Sequence, residues 1–155
     1  MLKLSAKAFY EICEHAKRAY PEECCGIILL KDGMDIVRPC TNIQNKLHAQ
    51  EPNLYSQTAR VAYVMAPQEM FYIFKEAEEN DMRIKAFYHS HPDHGAFFSE
   101  EDKNQAVPWD EPLHPNCVYI VISIYNNREV KDVRAYTWNH RKFVEIPIDK
   151  FSMNR

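Results

Sequence analysis

The run Cys117–Ile124, read Cys-Val-Tyr-Ile-Val-Ile-Ser-Ile, is apolar at every position but Ser123. β-branched and aromatic residues dominate it, and a strand without polar alternation has to be covered on both faces. A chain carrying such a segment is constrained to a layered fold, with 117–125 as a central strand. The run is far shorter than the ~20 residues a bilayer span needs, and so is the other apolar stretch, Cys24–Leu30. At 155 residues the chain is expected to form one domain over 1–155. No Gly/Ser-rich or Pro-rich linker, repeat or long charge run divides it. Met-Leu-Lys-Leu-Ser at the N-terminus leads directly into an amphipathic pattern, with no signal-peptide core. The expectation is a cytoplasmic protein without a membrane partner.

Periodicity supplies the remaining elements. Ser5 is a candidate N-cap for a helix over 6–20, whose apolar positions Ala8, Phe9, Ile12, Cys13, Ala16 and Ala19 recur at helical spacing up to Pro21. Cys24–Leu30 and a partner at 34–40 read as a hairpin turning at Asp32-Gly33. The polar stretch 42–60 reads as a long loop of the kind that carries function, and Val61–Met65 as a short strand. Pro67 opens a second helix ending near Asn80. Ile84–His89 reads as a strand, 100–106 as a short helix, and 107–116, with Pro108, Pro112 and Pro115, as a loop. Val130–Trp138 and Lys142–Ile148 close a hairpin across Asn139-His140. Three helices and about seven strands, with hairpins and helices mixed, make a mixed α/β (α+β) fold: a sheet flanked by helices. The aromatic residues at 71, 72, 74, 87 and 88 are assigned to the core, and Trp109 either to a groove or to loop packing.

Several function classes drop out. A net charge of −3 disfavours nucleic acid as a partner. With glycine only at 26, 33 and 95, neither a dinucleotide-binding nor a nucleoside-triphosphate loop can be written. The five cysteines, at 13, 24, 25, 40 and 117, are odd in number and lack C-x-x-C spacing. They read as buried thiols in a reducing compartment rather than a disulfide framework or a thiolate zinc site. The zinc deaminase pattern fails as well, since Pro39-Cys40 has no second cysteine and precedes the histidines.

What remains is His89-Ser90-His91-Pro92, followed by Ser99 and Asp102. Period 2 puts both imidazoles on one face of the strand end. Asp102 follows Pro92 by ten residues, enough for a loop and the first turn of a helix to return a carboxylate. Two neutral imidazoles and one carboxylate are a catalytic zinc set, with the fourth position left to water. A net positive charge on such a site would bring the pKa of that water toward ~7. Each residue has a plainer reading too. A lone H-x-H is often a hydrogen-bonded strand pair, and Ser99-x-x-Asp102 is a capping box. A buried-strand carboxylate, Glu22 or Glu23, is a candidate proton acceptor, and position alone does not choose between them. Ser99 is a candidate donor to an oxyanion, while His94 reads as an exposed loop histidine.

Taken together, Glu23, His89-Ser90-His91-Pro92, Ser99 and Asp102 resemble the JAMM motif of the MPN+ (Mov34-like) metalloproteases: a distant Glu, then H-[S/T]-H-P-x6-S-x2-D. Glu23-Cys24-Cys25-Gly26 is similar to the first strand of that family. The resemblance implies a cytidine-deaminase-like central mixed β-sheet flanked by helices. It implies one Zn²⁺ per chain held by His89, His91 and Asp102. It selects Glu23 over Glu22 as general acid/base and makes Ser99 an assistant to the tetrahedral intermediate. The short chain looks like the small prokaryotic members, which implies a zinc metallopeptidase or isopeptidase. Its expected substrate bond follows the C-terminus of a ubiquitin-like sulfur-carrier protein, or lies in a peptide or small amide. The alternative is a non-catalytic interaction module of the same fold; such modules typically lose the histidines or the Asp, which this chain keeps.

Overall fold

The computed structural model describes residues 1–150. The apolar run forms a strand over Val118–Ile124, and its alternate residues serve two cores. Ile120, Ile122 and Ile124 face one cluster, together with Leu4, Ile12, Ala16, Cys24, Ile28 and Tyr88. Tyr119 and Val121 face the other, with Cys25, Ile27, Leu29, Ile73, Phe87 and Ala106. Helices lie over both faces, which is why the strand needs no polar alternation.

In chain order the elements are β1 (Leu2–Leu4), α1 (Ala6–Ala19), β2 (Cys25–Lys31), β3 (Met34–Cys40), α2 (Gln44–Gln50), α3 (Pro67–Glu79), β4 (Arg83–Pro92), α4 (Glu100–Ala106), β5 (Val118–Ile124), β6 (Val130–Asn139), β7 (Lys142–Ile146) and β8 (Ile148–Lys150). Six strands make one mixed sheet in the order β3-β2-β4-β5-β6-β7, with β4 and β5 parallel at its centre. The mixed α/β architecture expected from the sequence is therefore the one observed. Among the described residues, no helix is long and apolar enough to cross a membrane.

Three differences have local causes. The 42–60 stretch contains α2, which has no side-chain N-cap and no apolar stripe to announce it. Tertiary hydrogen bonds hold it instead. Asn42 Oδ1 accepts from Gln44 N (3.0 Å) and Val64 N (3.1 Å), and Gln44 Nε2 donates to the Gln57 carbonyl (2.9 Å). Residues 61–65 form no strand: Met65 makes a single bridge to Asn42, and Ala62 and Met65 are buried. The last strand breaks at Pro147, which has no N–H for the ladder. Its carbonyl accepts from Leu2 N (2.9 Å), and Ile148–Lys150 leaves the main sheet to pair in parallel with β1. Phe71 and Tyr72 lie outside the core, 62% and 58% exposed on the outer side of α3.

The β2–β4 pairing is the contact on which the site depends. Gly26 lies opposite Tyr88, and a Cβ on Gly26 would overlap the tyrosine ring. The Tyr88 hydroxyl is held by His15 Nδ1 at 2.7 Å, so the ring has nowhere to go. Gly26→Ala is expected to destabilise the fold by about 1–3 kcal/mol, as overpacking does. Urea unfolding measures it: a lower midpoint at unchanged slope is the expected result.

Candidate metal centre

Period 2 along β4 turns Phe87, His89 and His91 to the α3/α4 side of the sheet and Tyr88 and Ser90 to the α1 side. Ser90 joins two strands there. Its N–H donates to the Cys24 carbonyl (3.1 Å), and its Oγ accepts from the Cys24 N–H (2.8 Å). Cys25 pairs with His89, so Glu23, two residues earlier, falls on the histidine side.

Beyond Pro92 the chain turns and is pinned at several points. Asp93 N donates to the Ile124 carbonyl (2.7 Å), the Tyr20 hydroxyl to the Asp93 carboxylate (2.9 Å), and the Tyr136 hydroxyl to the Ala96 carbonyl (2.6 Å). The Ser123 hydroxyl donates to the His94 carbonyl. Ser99 then caps α4 in a full capping box. Ser99 Oγ accepts from Asp102 N (3.0 Å), and Asp102 Oδ2 accepts from Ser99 N (3.0 Å). The capping box and the ligand-like placement of Asp102 are one geometry.

The result is a triangle of donor atoms. His89 Nε2 and His91 Nε2 are 3.2 Å apart, and Asp102 Oδ2 lies 3.1 Å from the first and 3.2 Å from the second. All three residues are buried, and they are the one His/Cys/Asp/Glu group among the described residues able to hold a metal ion. His91 Nδ1 faces the Gly95 carbonyl at 2.9 Å. Donating there leaves Nε2 of the neutral ring as a lone pair. A tetrahedral ion with bonds of about 2.0–2.1 Å needs ligand atoms about 3.3 Å apart; the triangle has those edges. The residues present fit a zinc-type ion.

Electrostatics agree. Burial opposes ionisation of Asp102, yet the facing His89 and the hydrogen bond from the Ser99 amide hold its carboxyl well below the ordinary range. Burial lowers the pKa of His89 despite the pull of Asp102, so its ring is kept neutral. The stacked Tyr63 ring, 4.6 Å away and 27° from coplanar, covers His89.

Glu23 is 5% exposed. Burial, then the charges of Asp102 and Glu101, push its carboxyl up to about 9. It shares a cavity of about 430 Å³ with His91, Ser99 and Glu101. Glu22, the other candidate, is exposed and binds Asn45 Nδ2 at 2.8 Å. His94 lines the same cavity as an exposed loop residue. Trp109 is 82% exposed, while the His114 ring lies tilted against Phe87 with centroids 4.6 Å apart. All five cysteines are buried thiols outside any disulfide. Tyr63, Ser90 and the Gly95 carbonyl escaped sequence reasoning. Tyr63 sits in the apolar run Val61–Met65, where nothing marks it apart from its neighbours, and the others act through the fold.

A six-stranded mixed sheet with two histidines at the end of its central strand and a capping-box aspartate facing them defines a class that comparison with known proteins identifies. Residues 5–139 match the prokaryotic homologues of the JAB domain, and the chain belongs to that family. It is 28% identical over 151 residues to a desampylase from Haloferax volcanii, covering 95% of this chain and 94% of that one. It is 30% identical over 110 residues to the tail tip assembly protein K of Escherichia phage N15, covering 66% of this chain. The match spans only 37% of the phage protein's length. Among solved structures, a protein from Desulfitobacterium hafniense superposes with a TM-score of 0.71 at 24% identity, covering 97% of this chain and 92% of that one. A JAB1/MPN domain protein from Archaeoglobus fulgidus does so at 0.53 and 19%, covering 96% and 98%. Both show the same fold.

The raised pKa of Glu23 has a measurable consequence. A carboxyl near 9 in the folded chain and near 4.5 in the unfolded one ionises on unfolding between those values. Stability is therefore lost as pH rises through that window. Chelator-treated wild type is expected to weaken more steeply from pH 5 to 9 than Glu23→Gln. Urea midpoints along the pH series, compared between the two proteins, check this; parallel curves would show that Glu23 titrates normally.

Proposed function

We propose that this chain is a single-domain zinc metallopeptidase that hydrolyses an amide bond after the C-terminus of a ubiquitin-like modifier of the sulfur-carrier type. The observation that carries the reading is the His89–His91–Asp102 triangle beside a buried, protonatable Glu23. The likeness to a desampylase over nearly the whole chain supports a modifier as substrate.

His89, His91 and Asp102 would hold the ion. Zinc, when bound, supplies a Lewis acid for the scissile carbonyl and a water made nucleophilic near neutral pH. With the positive charge of a bound ion drawing its raised carboxyl back down, Glu23 would accept the proton of the attacking water and return it to the departing amine. Among the described residues no hydrogen bond engages that carboxyl, so its oxygens are available for the transfer. Ser99 Oγ already accepts from Asp102 N, leaving its own proton to donate to the developing oxyanion. The 93–98 loop holds His91 through the Gly95 carbonyl, and the Tyr63 ring covers His89.

Two measurements test this. Metal analysis of the purified protein is expected to give one zinc per chain in wild type and in Glu23→Gln, and none in His91→Ala. Cleavage of a sulfur-carrier protein bearing a C-terminal extension is expected in wild type. It should fall by about 10²-fold or more in Glu23→Gln, the scale of general acid–base catalysis. Cleavage of short peptides alone would move the substrate to peptides. Absence of both zinc and turnover would leave an interaction module.

A further inference from the structure

At the end of β4 away from the imidazoles the strand is irregular. Its register with β2 slips between Ile28 and Leu29: Ala86 lies opposite Ile28 and Ile84 opposite Leu29, which leaves Lys85 without a partner. A bulge of this kind re-aims a side chain. Strict alternation would send Lys85 to the α3 side with Phe87. Instead it turns to the α1 side, where its Nζ donates to the Lys3 carbonyl and to Asp35 Oδ1 (2.5 Å). Both side chains of this ion pair are buried, and Asp35 Oδ2 is taken by the Ser5 N–H (2.9 Å). An ammonium has three N–H donors, and this one has spent two of them.

A cavity of about 350 Å³ opens here, within the range of about 300–1,000 Å³ typical of ligand pockets. Lys3, Arg83, Lys85 and Asn116 supply its polar wall, and Leu30 and Val118 part of the remainder. Among the described residues no carboxylate lines it. Asp35 and Arg83 flank Leu30 on neighbouring strands, two strand spacings or roughly 10 Å apart. Asp149, opposite Lys3 on β8, is outside the wall. Among the described residues no hydrogen bond or ion pair engages the side chain of Lys3, Arg83 or Asn116. Three cations therefore share one carboxylate that is already committed. A cleft lined by one sign of charge concentrates ions of the other. An ion pair that only anchored β1 and α1 to the sheet would need Lys85 and Asp35, and neither the hollow nor the two further cations.

We propose that this cavity binds a phosphate group, either free or as the monoester of a small molecule. Two unmatched positive charges suit a dianion. The Arg83 guanidinium can hold two phosphate oxygens at once, and the remaining Lys85 proton and the Asn116 amide can reach others. Leu30 and Val118 offer an apolar surface to whatever the phosphate is attached to. Lys85 is four residues from His89 along β4, roughly 13 Å, and on the other side of the sheet. The site is thus separate from the metal centre and does not rest on the hydrolase reading.

The test titrates inorganic phosphate, phenyl phosphate and neutral phenol into the full chain, with backbone amides followed by heteronuclear NMR. His91→Ala is run beside wild type, because a metal at the histidines would itself attract phosphate. Saturable shifts are expected around Lys3, Leu30, Arg83, Lys85 and Asn116 with both phosphates, in both proteins, and none there with phenol. Tighter binding of the ester assigns the site to a phosphorylated molecule, and equal binding to free phosphate; either upholds it. Arg83→Gln and Lys3→Gln, both at exposed positions, should each raise Kd by about tenfold or more, the scale of a lost hydrogen bond to a charged group. Lys142→Gln, an exposed lysine on β7, should leave Kd unchanged. Phenyl phosphate should also raise the unfolding midpoint of wild type and fail to raise that of Arg83→Gln. Shifts confined to the surroundings of His89 and Asp102, or a Kd indifferent to both the Arg83 and Lys3 substitutions, would overturn the site.

Discussion

Three electron-rich atoms held about 3.2 Å apart in a buried site repel one another unless a proton or a cation lies between them. The site of this protein is organised around that constraint. His91 Nδ1 directs its proton to the Gly95 carbonyl, so its other nitrogen faces inward as a lone pair. Burial keeps His89 neutral, and Asp102 stays ionised. The fold thus withholds protons from a place where the geometry asks for positive charge. Two neutral rings and one anion are also the donor set that leaves a divalent ion with residual positive charge, as Lewis-acid chemistry requires.

The supporting frame is correspondingly specific. Ser90 ties the end of β4 to the entrance of β2 by two hydrogen bonds, so the strand carrying the imidazoles and the one preceded by Glu23 move as one body. Gly26 lets that pairing close over Tyr88. The capping box of α4 uses the same carboxylate oxygen that faces the imidazoles, which orients Asp102 before any ion arrives. Such preorganisation keeps the ligand atoms within a few tenths of an ångström of a productive arrangement.

Two cavities of different character adjoin the site. Glu23, Glu100 and Glu101 line one, and the other is walled mainly by aromatic and aliphatic side chains without a lysine or arginine. Both draw on segments that look unpromising in isolation. Gln57 and Tyr63 come from the irregular segment between α2 and α3, and Leu113 and His114 from the proline-rich loop before β5. Loops carried on a rigid sheet are where binding specificity is usually set.

Much of this was legible in the residues themselves. The apolar run at 118–124, interrupted by Ser123 alone, could only be a central strand, because any exposed face would carry isoleucine or valine into water. Period 2 places His89 and His91 together whatever surrounds them, and Ser99 with Asp102 is a local capping signal that folds the same way in any helix. The choice of Glu23 over Glu22 was not legible from position, because it depends on which side of β2 meets β4. Neither was α2, whose stability comes from Asn42, Gln57 and Val64 rather than its own pattern. The sequence by itself determined which groups are available and which neighbours along the chain share a face, since backbone geometry repeats every two or 3.6 residues. Only the tertiary structure decided that a carboxylate from α4 would close on imidazoles from β4, that Tyr63 would cover them, and that an apolar hollow would open beside them. Those contacts join residues far apart in the chain, and no local periodicity encodes the distance between them.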